Sequence, residues 1–164
     1  MGSVIKSKSL PEKSIILKSV ETIDYFDSFK INKATSDTID KIVVEIFNSP
    51  AWVESLMSIR NSMVKIFGLK TGKQTEPEKD FYPIGSKLKY FRVIDRNENE
   101  IVFGEKDKHL NFISSILIDR TASEIYLNTL VHFNNIGGRL YFLPVKPFHK
   151  IIIKSLLKKL LKTS

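Results

Sequence analysis

The chain contains no cysteine. That excludes disulfides, thiolate nucleophiles, paired-cysteine redox chemistry and cysteine-type zinc sites together. It fits a reducing compartment, and a cytoplasmic location is expected. No apolar run approaches the roughly 18 residues that a membrane span needs. The opening residues lack a charged segment followed by a long apolar one, so no signal peptide is expected. Gly2 is followed by Lys6 where a myristoylation motif wants Ser or Thr. There is no phosphate-cradling GxxxxGKS/T loop and no GxSxG elbow. Internal repeats and low-complexity segments are missing too. Acid is absent from residues 139–164, which hold 7 Lys+Arg.

What is present is ordinary for a folded domain. The 164 residues are 42% hydrophobic and 27% charged, enough for one domain with one core. The net charge is +8. Residues 1–82 are nearly balanced and residues 83–138 are balanced, so the excess sits in the C-terminal segment.

Residues 1–19 read as a mobile arm and 20–164 as a single domain. "VETIDYFDSFKI" (20–31) alternates and is rich in β-branched and aromatic residues, which predicts a strand. Thr35 or Ser36 then caps a helix over 36–50, with Ile39, Ile42, Val43, Ile46 and Phe47 at helical spacing. Pro50 starts a second helix whose apolar stripe runs from Trp52 to Phe67, stopped at Gly68. A polar connection covers 71–83. The period then changes to two. Strands are predicted over 86–96, 100–107, 109–119 and 124–134, joined by short turns into an antiparallel meander. A long helix follows Gly137 and Gly138, with Pro144 and Pro147 either kinking it or dividing it near Pro147. The expected class is α+β: a curved antiparallel sheet gripping a long C-terminal helix, with two short helices after the first strand.

"DYFDSF" (24–29), "SPAWVESLMSIRNSMVKIFGLK" (49–70), "VFGEKDKHLNFISS" (102–115) and "GRLYFLPVKPFHKIII" (138–153) together resemble the bacterial family called domain of unknown function 2867. More broadly the order resembles START-like helix-grip domains, the polyketide-cyclase and lipid-transfer superfamily. The resemblance implies a cavity between the sheet and the terminal helix. It implies no reaction.

"GEKDKHLNF" (104–112) concentrates polar chemistry. On a strand, Asp107, His109 and Asn111 share one face, and a carboxylate beside an imidazole orients the ring as a general base requires. In a tight turn the same residues are a solvated rim. If Leu110 lies opposite His132, one face of the third meander strand meets Asn128 and His132, giving apolar walls with a few polar handles. That arrangement suits either a ligand pocket or a core. Trp52 would line the cavity mouth or pack in the core, and Arg60 would reach a carboxylate ligand or form a surface ion pair. Asp107 and His109 offer at most two metal ligands, so no metal and no cofactor is expected. Lys150, Lys154, Lys158 and Lys162 recur every four residues beside an apolar arc. They suit either an anionic membrane or acidic partner, or the solvated back of a packed helix. No nucleic-acid module is visible and no specific nucleic acid is expected.

Three functions follow as expectations. The first is a binding module for a lipid or another hydrophobic or amphipathic small molecule. The second is a polyketide-cyclase-like enzyme using His109 or His132. The third is association with an anionic membrane through the basic helix.

Overall fold

Alternating β-branched and aromatic residues build a seven-stranded sheet in the computed structural model, which describes residues 2–48, 54, 58, 61, 65, 79–88 and 91–163. In chain order the elements are β1 (Ile5–Lys6), a 3-10 helix (Ile15–Ser19), β2 (Tyr25–Asn32), α1 (Ile39–Phe47), β3 (Lys87–Leu88), β4 (Phe91–Arg96), β5 (Glu100–Lys106), β6 (Leu110–Asp119), β7 (Glu124–Phe133) and α2 (Ile136–Lys162). The class is α+β. The sheet is open, curved and antiparallel throughout, in the order β1-β2-β7-β6-β5-β4-β3. A register shift between Val93 and Asp95 marks an irregularity in β4, and such bulges increase local bending.

Several expectations change. Residues 2–19, expected as a mobile arm, carry β1 on the edge of the sheet and the 3-10 helix, whose Ile16 is fully buried. Thr38, rather than Thr35 or Ser36, caps α1: its hydroxyl accepts from the Lys41 N–H at 3.2 Å. One helix, α1, is described after β2. The second expected helix falls outside the described residues, save that Glu54, Ser58, Asn61 and Lys65 are helical. Trp52 and Arg60 also lie outside the described residues.

α2 runs unbroken through both prolines. Pro144 and Pro147 are exposed, so the carbonyls of Leu140 and Leu143, which lose their helical N–H partners, lie on the solvent side. Both helix ends are held by other elements. At the start, Asn135 accepts from the Gly138 N–H at 3.1 Å. A Cβ at Gly138 would stand 2.1 Å from the His109 carbonyl oxygen, so only glycine lets this turn seat against the β5–β6 hairpin. At the far end, Lys33 donates to the carbonyl oxygens of Leu160, at 2.6 Å, and Thr163. Those are acceptors a helix C-terminus leaves without partners.

The sheet has two covered faces. On the front, α1 and α2 bury Phe29, Ile31, Phe103, Ile116 and Leu127 with Ile42, Ile46, Leu157 and Leu160. Full burial of one such side chain contributes about 1.5–3 kcal/mol. On the back, Ile16 packs with Val102, Ile113 and Leu130.

The β6–β7 register differs from expectation by one residue. Asn111 pairs with His132 and Leu110 with Phe133, because the hairpin closes at Asp119–Glu124 around a four-residue loop. Ser123 in that loop has φ 56°. A slip of one residue exchanges the faces of a strand. Ser114 and Ile116 therefore face Thr129 and Leu127 rather than Asn128 and Tyr126.

Candidate functional site

"GEKDKHLNF" is a turn fastened to the start of α2. The Asp107 N–H donates to the Leu110 carbonyl at 3.0 Å. The Asp107 carboxylate receives the backbone N–H of His109 at 3.4 Å. His109 Nδ1 lies 3.1 Å from Asn135 Oδ1. Asn134 donates to the Asp107 carbonyl and to Asn111 Oδ1, and Asn135 donates to the Lys108 carbonyl. Asp107, His109 and Asn111 thus share one hairpin-to-helix junction, in which Asp107 holds the backbone of His109.

His132 stands at the sheet rim. Its Nδ1 is 2.8 Å from Asp24 Oδ2, and Arg139 is 3.8 Å from the other Asp24 oxygen. Both side chains of the His132–Asp24 pair are part-exposed.

A second carboxylate–imidazole pair is buried, and the sequence reading did not single it out. Asp27 on β2, Thr129 on β7 and Ser114 on β6 are register partners. They form a polar row across the front of the sheet, each at most 1% exposed. His149 from α2 descends on this row, with Nε2 3.2 Å from Asp27 Oδ2. The same Asp27 oxygen accepts from the Tyr25 hydroxyl at 2.8 Å. Burial alone would raise the Asp27 carboxyl, but the His149 ring and the Tyr25 and Thr129 hydroxyls outweigh it and hold it below its ordinary range. Burial and the neighbouring Asp27 push the Tyr25 phenol well above its ordinary value.

The row divides the front core. On one side lie Leu110, Val131, Tyr141 and Phe142, and on the other the cluster around Phe29 and Leu127. Aromatic rings flank it. Phe112 meets His149 edge-on at 5.7 Å and stacks on Phe91 at 5.4 Å. Tyr25 packs on Phe142 at 4.8 Å, with the Lys146 ammonium 4.9 Å above its ring. Phe91, Phe112 and Tyr25 are part-exposed, so these walls reach solvent.

The polar row retains unused hydrogen-bonding capacity. Among the described residues, neither Asp27 Oδ1 nor His149 Nε2 has an aligned hydrogen-bond partner, although Nε2 is close to the carboxylate. Native interiors seldom leave such groups unsatisfied. The arrangement can accept a hydrogen bond at Asp27 Oδ1, beside the His149 ring and within apolar walls.

The back of the sheet at the same level is different. Ser28 donates to Asn128 Oδ1 at 2.7 Å, and the Asn128 amide donates to Ser115 at 3.1 Å. Ser115 supports Glu100, which also accepts from the Ser14 hydroxyl at 2.5 Å and the Ile15 N–H at 2.7 Å. Asn128, expected as a ligand contact, is therefore a member of a closed, fully buried network. Burial pushes Glu100 above its ordinary value despite these donors.

Lys154, Lys158 and Lys162 are exposed on α2 and Lys150 is part-exposed. Among the described residues no helix is long and apolar enough to cross a membrane, and no three His, Cys, Asp or Glu cluster as metal ligands.

No curated protein and no solved structure matches this chain. The family model described as protein of unknown function DUF2867 matches residues 19–156, and the chain belongs to that family.

Proposed function

We propose that this chain is a binding module of the helix-grip, START-like kind. It holds a hydrophobic or amphipathic small molecule between the front of the sheet and α2. One observation carries the reading: the buried polar row under α2 leaves Asp27 Oδ1 and His149 Nε2 without aligned partners among the described residues. A ligand with an apolar body and a hydrogen-bond donor fits that chemistry. Its body would lie against Phe112, Phe142 and Tyr25, and its donor would meet Asp27.

A polyketide-cyclase-like enzyme is the second reading. It is favoured by a carboxylate beside an imidazole within apolar walls, and it makes His149 the base in place of His109 or His132.

The test is to purify the protein without denaturation and identify by mass spectrometry what it releases when unfolded. A stoichiometric hydrophobic compound in the wild type, absent from a folded D27L/H149L double variant, is the expected result. A compound that copurifies equally with the double variant, or a wild type that is empty and takes up no fluorescent fatty-acid probe, overturns the reading. A released compound whose mass differs between wild type and His149→Gln moves the assignment to the enzyme.

A further inference from the structure

The outward side of α2 changes character along its length. In the first half, Ile136, Leu140 and Leu143 are 74%, 60% and 67% exposed. Phe148 and Ile151, at 37% and 49%, continue the same side. Isolated exposed apolar residues need no explanation, but five on one side of one helix do. From Ile136 to Ile151 the stripe is about 22 Å long, at about 1.5 Å per residue.

The lysines are arranged around this stripe. Lys146, Lys150, Lys154, Lys158 and Lys162 recur every four residues, and a helix turns every 3.6. Each lysine is therefore displaced by about 40° from the previous one. Lys146 and Lys150, with Arg139, flank the apolar stripe. Lys154, Lys158 and Lys162 then move onto the exposed side that the stripe occupied. No acidic residue occurs anywhere in α2.

We infer that the outward face of α2 docks on an anionic phospholipid surface. The apolar half enters the boundary between headgroups and acyl chains, while the basic residues meet lipid phosphates and carboxylates. The charge selects the partner. A face that joins uncovered apolar side chains to cations alone is complementary to a surface that is apolar beneath and negative above. A second copy of this chain would bring the same cations against one another. The inner side of α2 remains packed on the sheet, so docking needs no unfolding.

The full chain is tested by flotation with vesicles of phosphatidylcholine and phosphatidylserine, against phosphatidylcholine alone. Binding at least about tenfold tighter to the mixed vesicles, weakening with salt, is expected. The K146Q/K150Q/K154Q variant should lose on the order of 100-fold at low salt, since each lysine near the surface contributes about fivefold. The L140S/L143S variant should weaken binding to both vesicle types about tenfold or more. Both variants change exposed or part-exposed positions, and their melting is checked first. Absence of binding to the mixed vesicles overturns the proposal, as does equal affinity for the two vesicle types. Self-association that L140S/L143S abolishes, without vesicle binding, also overturns it and assigns the face to copies of this chain.

Discussion

Asp27 and Glu100 are both buried carboxylates, held on opposite faces of one sheet, and their pKa values move in opposite directions. Burial pushes both upward. Asp27 has an imidazole and a phenol against it, and ends below its ordinary value. Glu100 has two hydroxyls and a backbone N–H, all neutral, and stays raised. The partner, not the depth, decides whether the charge is held. The two rows also differ in completeness. The back row uses its donors and acceptors within the chain. Among the described residues, the front row leaves two atoms without aligned partners, and those lie beneath the helix.

Breaking the front pair should have the largest effect. Asp27→Leu strands His149 in the interior and should cost about 3–5 kcal/mol in urea unfolding. The D27L/H149L double variant should recover most of that, because apolar replacement of a buried pair is often close to neutral. A single variant within about 1 kcal/mol of wild type would show that the front pair is not an electrostatic unit.

Glu100→Gln should act the other way and stabilise the protein at neutral pH, seen as a higher unfolding midpoint. The folded chain binds the Glu100 proton more tightly than the unfolded chain does. Its stabilising contribution is full below the ordinary value of 4.5 and is lost as pH rises through the raised folded value. Asp27 contributes stability above the ordinary value of 3.8, which is lost as pH falls through its lowered folded value. Unfolding midpoints against pH should therefore lose in Glu100→Gln the decline that begins above pH 4.5, and keep the one below pH 3.8.

Asp24→Asn should have the smallest effect. The Asp24–His132 pair is part-exposed, and loss of such a pair typically changes stability by less than about 1 kcal/mol. A larger loss, measured in the same urea series, would make the rim pair comparable to the buried one.

The strands of the meander were legible in the sequence because alternation and short turns mark them locally. The β6–β7 register was not. It depends on how many residues the turn at 120–123 takes, and one residue reverses every side chain. The long C-terminal helix was legible, but the sequence leaves open whether it stays one element, since two prolines either kink or divide a helix unless both sit on its outer side. The site was obscured by distance. "GEKDKHLNF" drew attention because its charges are consecutive. Asp27, Ser114, Thr129 and His149 are scattered over four elements. A signal did exist: Asp27-Ser28, Ser114-Ser115 and Asn128-Thr129 each place two adjacent polar residues inside strands that are otherwise largely apolar. Adjacent residues point to opposite faces, so each pair contributes one member to the front row and one to the back.

The pairing of β2 with β7 has a consequence for the chain's synthesis. Ser28 meets Asn128, a partner 100 positions later. β2 leaves the ribosome with its inner edge unpaired and waits for five strands to follow. Contacts this distant form slowly, and an open edge invites association with other chains. Neither polar row can assemble before β7 arrives, and the front row stays wet until α2 covers it. The nascent protein thus passes through a long stage as an incomplete sheet, and demand for chaperones should be concentrated there.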